Sequence, residues 1–257
     1  MSRYEAMFRR SGNAGVFGAF VMLGDPDLES CAAILDQLVE GGADMIEVGI
    51  PFSDPVADGP VIQAAAVRAL ANGTTPADCF ALLEAFRARH PDVPVGILTY
   101  ANLVVARGRE DFYARAAAAG VDSVLVADVP LLEAAPYAGA ARAQGIDPVL
   151  IAAANTPAPR LGEIARLGGG YTYCVARAGV TGANQDALFD HEAMLAALRA
   201  AGAPPPVFGF GISRPDQVRA ALAAGAAGVI SGSAIVERIA RGEDVTGFVG
   251  EMKSATL

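Results

Sequence analysis

Eight short apolar segments alternate with alanine-rich helical stretches, and one local unit recurs four times: a glycine that ends a helix, a short polar step, then an apolar strand. Spread over 257 residues, these observations predict an α/β fold: a single (β/α)8 TIM barrel, with parallel strands inside an outer ring of helices and one domain covering 1–257. An open doubly wound sheet is the competing architecture. It requires a reversal of strand order, which a sequence pattern does not report.

Strands are expected near 17–23, 45–49, 95–99, 123–127, 148–152, 171–175, 207–210 and 228–231, each a short apolar run of the kind buried on both faces. Helices are expected near 27–40, 60–71 with 76–89, 109–119, 131–143, 160–167, 191–200 and 215–223, and a last helix from about 233. Gly41, Gly120, Gly145, Gly202 and Gly225 stand where helices should end. No linker, low-complexity tract or charge block marks a domain boundary.

The repeated unit runs over Gly42–Val48, Gly120–Val126, Gly145–Ile151 and Gly225–Ser231. Its sixth position holds Leu125, Leu150 and Ile230 in three copies and Glu47 in the other. A carboxylate inside a strand buried on both faces is costly unless it is paired or used. The segment that follows, 51–60, is rich in proline and carries Asp54 and Asp58, as the start of an active site would.

Hydrophobic residues make up 53 % of the chain, enough for a substantial core. No apolar run is long enough to cross a bilayer and no secretory signal opens the chain, so a soluble cytoplasmic protein is expected. The formal charge of −9 argues against a nucleic-acid surface, which needs clustered cations. Cys31, Cys79 and Cys174 are scattered, as reduced packing thiols are. Two histidines, His90 and His191, are too few for a His-rich metal site, so no metal is expected. The single lysine, Lys253, lies near the carboxyl terminus, which removes Schiff-base chemistry on a core strand. Chemistry is left to carboxylates, tyrosine hydroxyls and backbone groups.

In a barrel of this type the site is built at the carboxyl ends of the strands. The segment after the sixth strand, beginning at Arg177 and containing Gly179, Thr181 and Gly182, is long, polar and glycine-hinged, as a lid would be. Gly209 and Gly211 follow the seventh strand, and Gly232 and Ser233 follow the eighth and open the last helix. Two such glycine loops, one at a helix start, suit a phosphate; either alone would read as a tight turn. Glu47 alone could be structural, tied to backbone donors or an arginine. Together with Asp58 at one barrel mouth it points to acid–base work. Asp54, directly before Pro55, suits loop shaping or an interface, while Tyr100 and Tyr173 are either core or pocket-lining.

The stretches 47–63, 100–103, 123–130, 177–182 and 209–213 give the chain a full-length resemblance to the tryptophan synthase α-subunit family. That resemblance implies retro-aldol cleavage of indole-3-glycerol phosphate to indole and D-glyceraldehyde 3-phosphate. It implies Glu47 as acid–base at indole C3 and the glyceryl hydroxyl, Asp58 as acceptor from the indole N–H, and Tyr173 as an auxiliary near the reacting carbon. Gly182, Gly211, Gly232 and Ser233 match the family's phosphate-binding positions. Phe20, Ala57, Ile62, Leu98, Tyr100, Leu125, Ala127, Ile151, Phe210 and Ile230 match its indole pocket, and Arg177, Gly179 and Thr181 its lid. The resemblance further implies a β-subunit partner in an αββα assembly, contacted through Asp54 and Asn102. Pyridoxal phosphate would then sit on that partner, with no cofactor in this chain. Met22, where threonine is common, Thr99, where an apolar residue is common, and the turn 153–156, which is otherwise richer in proline, are departures that leave the acid pair and phosphate glycines intact. Competing readings are another phosphate-binding barrel enzyme, a non-catalytic binding subunit and a stand-alone indole producer.

Overall fold

The structure is a computed structural model and describes residues 1–175, 192–209 and 211–257. Its strands are β1 (Val16–Met22), β2 (Met45–Gly49), β3 (Val95–Thr99), β4 (Ser123–Val126), β5 (Asp147–Pro148), β6 (Leu150–Ala153), β7 (Thr172–Val175), β8 (Pro206–Phe208) and β9 (Gly228–Ser231). All pair in parallel in the order β5-β4-β3-β2-β1-β9-β8-β7-β6. The two outermost strands, β5 and β6, are consecutive in the chain with only Val149 between them. The sheet therefore closes on itself as a barrel.

The expected fifth strand, 148–152, is thus two segments. Pro148 has no N–H to give to the ladder, and Val149 instead donates to Val124 O at 3.0 Å. The extra residue inverts the alternation of faces. Val149 joins the barrel interior, whereas Leu150 turns outward onto Ala134, Ala138 and Leu167. In the third repeat the counterpart of Glu47 is therefore not Leu150 in space. Ile151 returns to the interior side, in register with Tyr173.

The polar step of the repeat has a structural use. Asp44 Oδ2 accepts from Phe17 N at 2.7 Å, and Asp122 Oδ2 accepts from Val95 N at 2.8 Å, each stitching the next strand to the previous one. Lys253 Nζ reaches the same Asp44 oxygen at 2.7 Å. The left-handed residue at the end of α2 (Leu28–Glu40) is Gly42, φ +94°, and not Gly41, which stays helical at φ −67°.

Helix α1 (Arg3–Ser11) precedes the first strand and was not expected. It closes the amino end of the barrel with Tyr4 and Met7, and Tyr4 Oη lies 2.8 Å from Ser123 Oγ. Helices α3 (Pro60–Ala71) and α4 (Pro76–Arg89) follow β2, and α5 (Ala101–Val105) and α6 (Arg109–Ala118) follow β3. Then come α7 (Ala134–Ala143), α8 (Ala158–Leu167), α9 (Glu192–Ala200) and α10 (Pro215–Ala223). The single helix expected from 233 is divided into α11 (Ser233–Ala240) and α12 (Thr246–Ser254). Gly242, at φ +68°, turns the chain, and Asp244 Oδ1 accepts from Thr246 N at 3.1 Å to start the second piece.

Candidate active site

Glu47 points into the barrel from β2, opposite Phe20 of β1 and Gly96 of β3 in register, and is 2 % exposed. Its Oε1 accepts from the Tyr171 hydroxyl at 2.7 Å. Its Oε2 has no hydrogen-bond partner among the described residues. No arginine or backbone donor ties it down among those residues, which weighs against a purely structural carboxylate. Burial raises its pKa to about 7; Tyr171's donation opposes that rise, and the charge of Asp58 adds to it.

Asp58 sits in the turn between β2 and α3. Its N–H donates to Pro55 O at 3.1 Å, and its carbonyl accepts from Gln63 Nε2 at 2.7 Å. Burial pushes its carboxyl above the ordinary range, and the Tyr100 hydroxyl pulls it back. The same hydroxyl accepts from Ala57 N at 3.2 Å, and the Tyr100 ring stacks on Phe52 with centroids 5.4 Å apart. Tyr100 is thus part of the frame that holds the acidic turn. Two carboxyls of raised pKa, with the charge of Asp58 felt at Glu47, share the carboxyl end of the barrel.

Phe20, Ile62, Leu98, Leu125, Ala127 and Ile230 form one apolar lining with Tyr173. Ile151 is in register with Tyr173 but is 38 % exposed and is not packed in that cluster among the described residues. The Tyr173 hydroxyl donates to Gly209 O at 2.8 Å, and a Cβ on Gly209 would fall 2.0 Å from Tyr173 Cζ. The hydroxyl that touches Glu47 is that of Tyr171, which sequence reasoning passed over. A tyrosine at the entrance of a strand reads as core, and no motif distinguishes it.

Gly211, at φ +73°, has no atom of the described residues within 4 Å of where a Cβ would be. Gly232 is the N-cap of α11 and has no side chain with which to cap it, and Ser233 is the first helical residue. Ser231 Oγ donates to Ile212 O at 2.7 Å, drawing the two glycine loops together. Uncapped N–H groups at a helix start favour an anion. Gly182, Phe210 and the lid residues Arg177, Gly179 and Thr181 lie outside the described residues. Asp54 and Asn102 are both exposed, and Val56 beside the former is 70 % exposed.

A cavity of about 550 Å³ opens at the opposite end of the barrel, beneath α1, between Phe8, Arg219, Leu222 and Leu257. Among the described residues no Asp or Glu side chain lines it. No helix among the described residues is long and apolar enough to cross a membrane.

Comparison with known proteins agrees with this geometry. The family model described as tryptophan synthase alpha chain matches residues 8–254. A tryptophan synthase alpha chain from Shewanella amazonensis is 56 % identical over 257 residues, covering 99 % of this chain and 97 % of the relative. The crystal structure of tryptophan synthase subunit alpha from Legionella pneumophila superposes with a TM-score of 0.89 at 30 % identity, over 100 % of this chain and 98 % of that one. A chain of the tryptophan synthase a2b2 complex from Pyrococcus furiosus gives 0.83 at 35 % identity, over 95 % of this chain and 98 % of that one. A family-model match over residues 8–254 and a relative 56 % identical over nearly the whole length, on a parallel barrel, place this chain in the tryptophan synthase α-chain family.

Proposed function

We propose that Glu47 and Asp58 are the acid–base pair with which this chain carries out its family's reaction. That reaction is the cleavage of indole-3-glycerol phosphate to indole and D-glyceraldehyde 3-phosphate, the lyase step of tryptophan biosynthesis. The single observation that supports the pair best is Glu47 itself: buried, with one oxygen unpartnered among the described residues, and with a pKa of about 7. Near neutral pH both of its forms are populated, as a group that gives and then takes a proton requires.

The chemistry divides between the two acids. Protonated Glu47 gives its proton to indole C3, which makes the ring nitrogen cationic. The resulting carboxylate removes the proton of the glyceryl hydroxyl as the carbon–carbon bond breaks. The bonding pair returns to the ring, and the hydroxyl oxygen becomes the aldehyde. Asp58, ionised, accepts from the indole N–H and offsets the ring's positive charge. The apolar lining from Phe20 to Ile230 receives the indole, and Tyr173 stands near the reacting carbon. Gly211, Gly232 and Ser233 supply backbone N–H groups to the phosphate, with Gly182 assigned to the same role.

The partner is the β subunit in an α2β2 assembly of the kind solved from Pyrococcus furiosus. We assign contact with it to the exposed face carrying Asp54 and Asn102. Pyridoxal phosphate is assigned to the β subunit: this chain's one lysine is ion-paired with Asp44 at the far end of the barrel. The compartment we assign is the cytoplasm. Asp58→Asn tests the division of roles. Steady-state kinetics should show kcat down by roughly 10²-fold with a smaller change in KM, and wild-type kcat would refute the role.

A further inference from the structure

A second carboxylate is buried in this molecule, outside the site. Asp25 follows β1 and is 2 % exposed. Both of its oxygens are taken by one guanidinium, Arg68 Nε to Oδ1 at 2.7 Å and Nη2 to Oδ2 at 2.8 Å. Such a two-pronged pair fixes orientation as well as distance. Removing the arginine would leave a buried charge uncompensated.

Arg68 lies on α3, the helix that begins immediately after Asp58 and Gly59. Helix α3 packs on the barrel through Ile62, Ala65, Ala66 and Ala69. Three of these four are alanines, whose methyl groups bury little area and interlock weakly, so apolar packing alone defines the helix's rotation and axial position poorly. Its N-cap, Gly59, has no side chain with which to cap it. Polar contacts at its carboxyl end supply what the packing lacks. Besides the Asp25–Arg68 pair, Asn72 Nδ2 donates to Pro26 O, and Gly24 packs so closely on Thr74 that a Cβ there would lie 2.3 Å from Oγ1. At the other end, Gln63 Nε2 holds the Asp58 carbonyl at 2.7 Å. A helix is stiff along its hydrogen-bonded length, so its position at Arg68 is passed to Asp58.

We propose that Asp25 and Arg68 are positioning residues for Asp58: the ion pair between the buried Asp25 and the half-buried Arg68 sets the placement of α3 against the loop after β1, and α3 sets the placement of the carboxylate. The proposal rests on the reading of Asp58 as the indole N–H acceptor.

The test is indole release from indole-3-glycerol phosphate by the full chain with saturating β subunit, using Arg68→Met, Asp58→Asn and the double variant, with thermal melts to confirm folding. Arg68→Met is expected to lower kcat by about ten- to a hundredfold, the scale of a small misplacement of a reacting group. In the Asp58→Asn background the same substitution should cause little further loss, because the group it positions has gone. Additive losses, or wild-type kcat in folded Arg68→Met, would overturn the proposal. Should Arg68→Met not fold, Arg68→Lys, which keeps the charge without the fork, carries the same comparison. Failure of both to fold would make the pair purely structural and also overturn it. An active Asp58→Asn variant would instead remove the underlying reading of Asp58.

Discussion

Glu47 is held between opposing influences, and its environment makes its acidity testable. Burial and Asp58 raise the carboxyl from 4.5 to about 7, while Tyr171 lowers it. The folded chain therefore keeps a proton on Glu47 between those two values that the unfolded chain has lost. Stability contributed by the neutral acid falls as pH rises from about 4.5 to about 7 and is level above that. Glu47→Gln should remove this fall. Denaturant titrations at pH 5 and pH 8 should differ less in the variant, by up to about 3 kcal/mol. Tyr171→Phe acts in the other direction, since losing the donor raises Glu47 further. The limb of the kcat/KM–pH profile that reports Glu47 should then move to higher pH. A limb that stays in place would separate Tyr171 from the acid. At this scale Glu47 was legible as a candidate because an acid broke an apolar pattern, and Asp58 as a candidate because it shared a proline-rich turn. Tyr171 was not, because its partner is 124 residues away in sequence and only the closed barrel joins them.

At the scale of the element, alternation of apolar strands with glycine-terminated helices carried most of the fold. Gly120, Gly145, Gly202 and Gly225 all take positive φ. What escaped has identifiable physical causes. Helix α1 was missed although Ser2 and Glu5 form a reciprocal cap, Glu5 N to Ser2 Oγ at 3.1 Å and Ser2 N to Glu5 Oε2 at 2.8 Å, a signature that could have found it. The break between β5 and β6 was missed because Pro148 was read as part of a strand whose ladder it cannot join. Contact between β7 and the loop after β8 could not be read from sequence either, since Gly209 was read as part of a phosphate loop and its packing against Tyr173 leaves no local pattern. Its tight fit against Tyr173 gives a prediction. Gly209→Ala should displace the Tyr173 ring at a cost of about 1–3 kcal/mol in a thermal or denaturant melt, with reduced cleavage. Unchanged stability would show that the loop yields without the ring.

Over the whole molecule, the barrel separates its tasks by end. The amino end is closed by α1 and stitched by Asp44 and Asp122, which hold the starts of β1 and β3. The carboxyl end gathers the acids, the apolar lining and the glycine loops. Family membership secures the reaction, and the distribution of its steps among residues is the reading proposed above. The reading of Glu47 as the proton carrier is the centre of that distribution, and indole release from indole-3-glycerol phosphate by wild type and Glu47→Gln, each alone and with the β subunit, tests it most directly. Wild type should release indole and release it faster with the partner. The variant should still bind substrate yet turn over roughly 10²–10⁴-fold more slowly in both conditions. Indole release by Glu47→Gln at the wild-type rate would contradict the account.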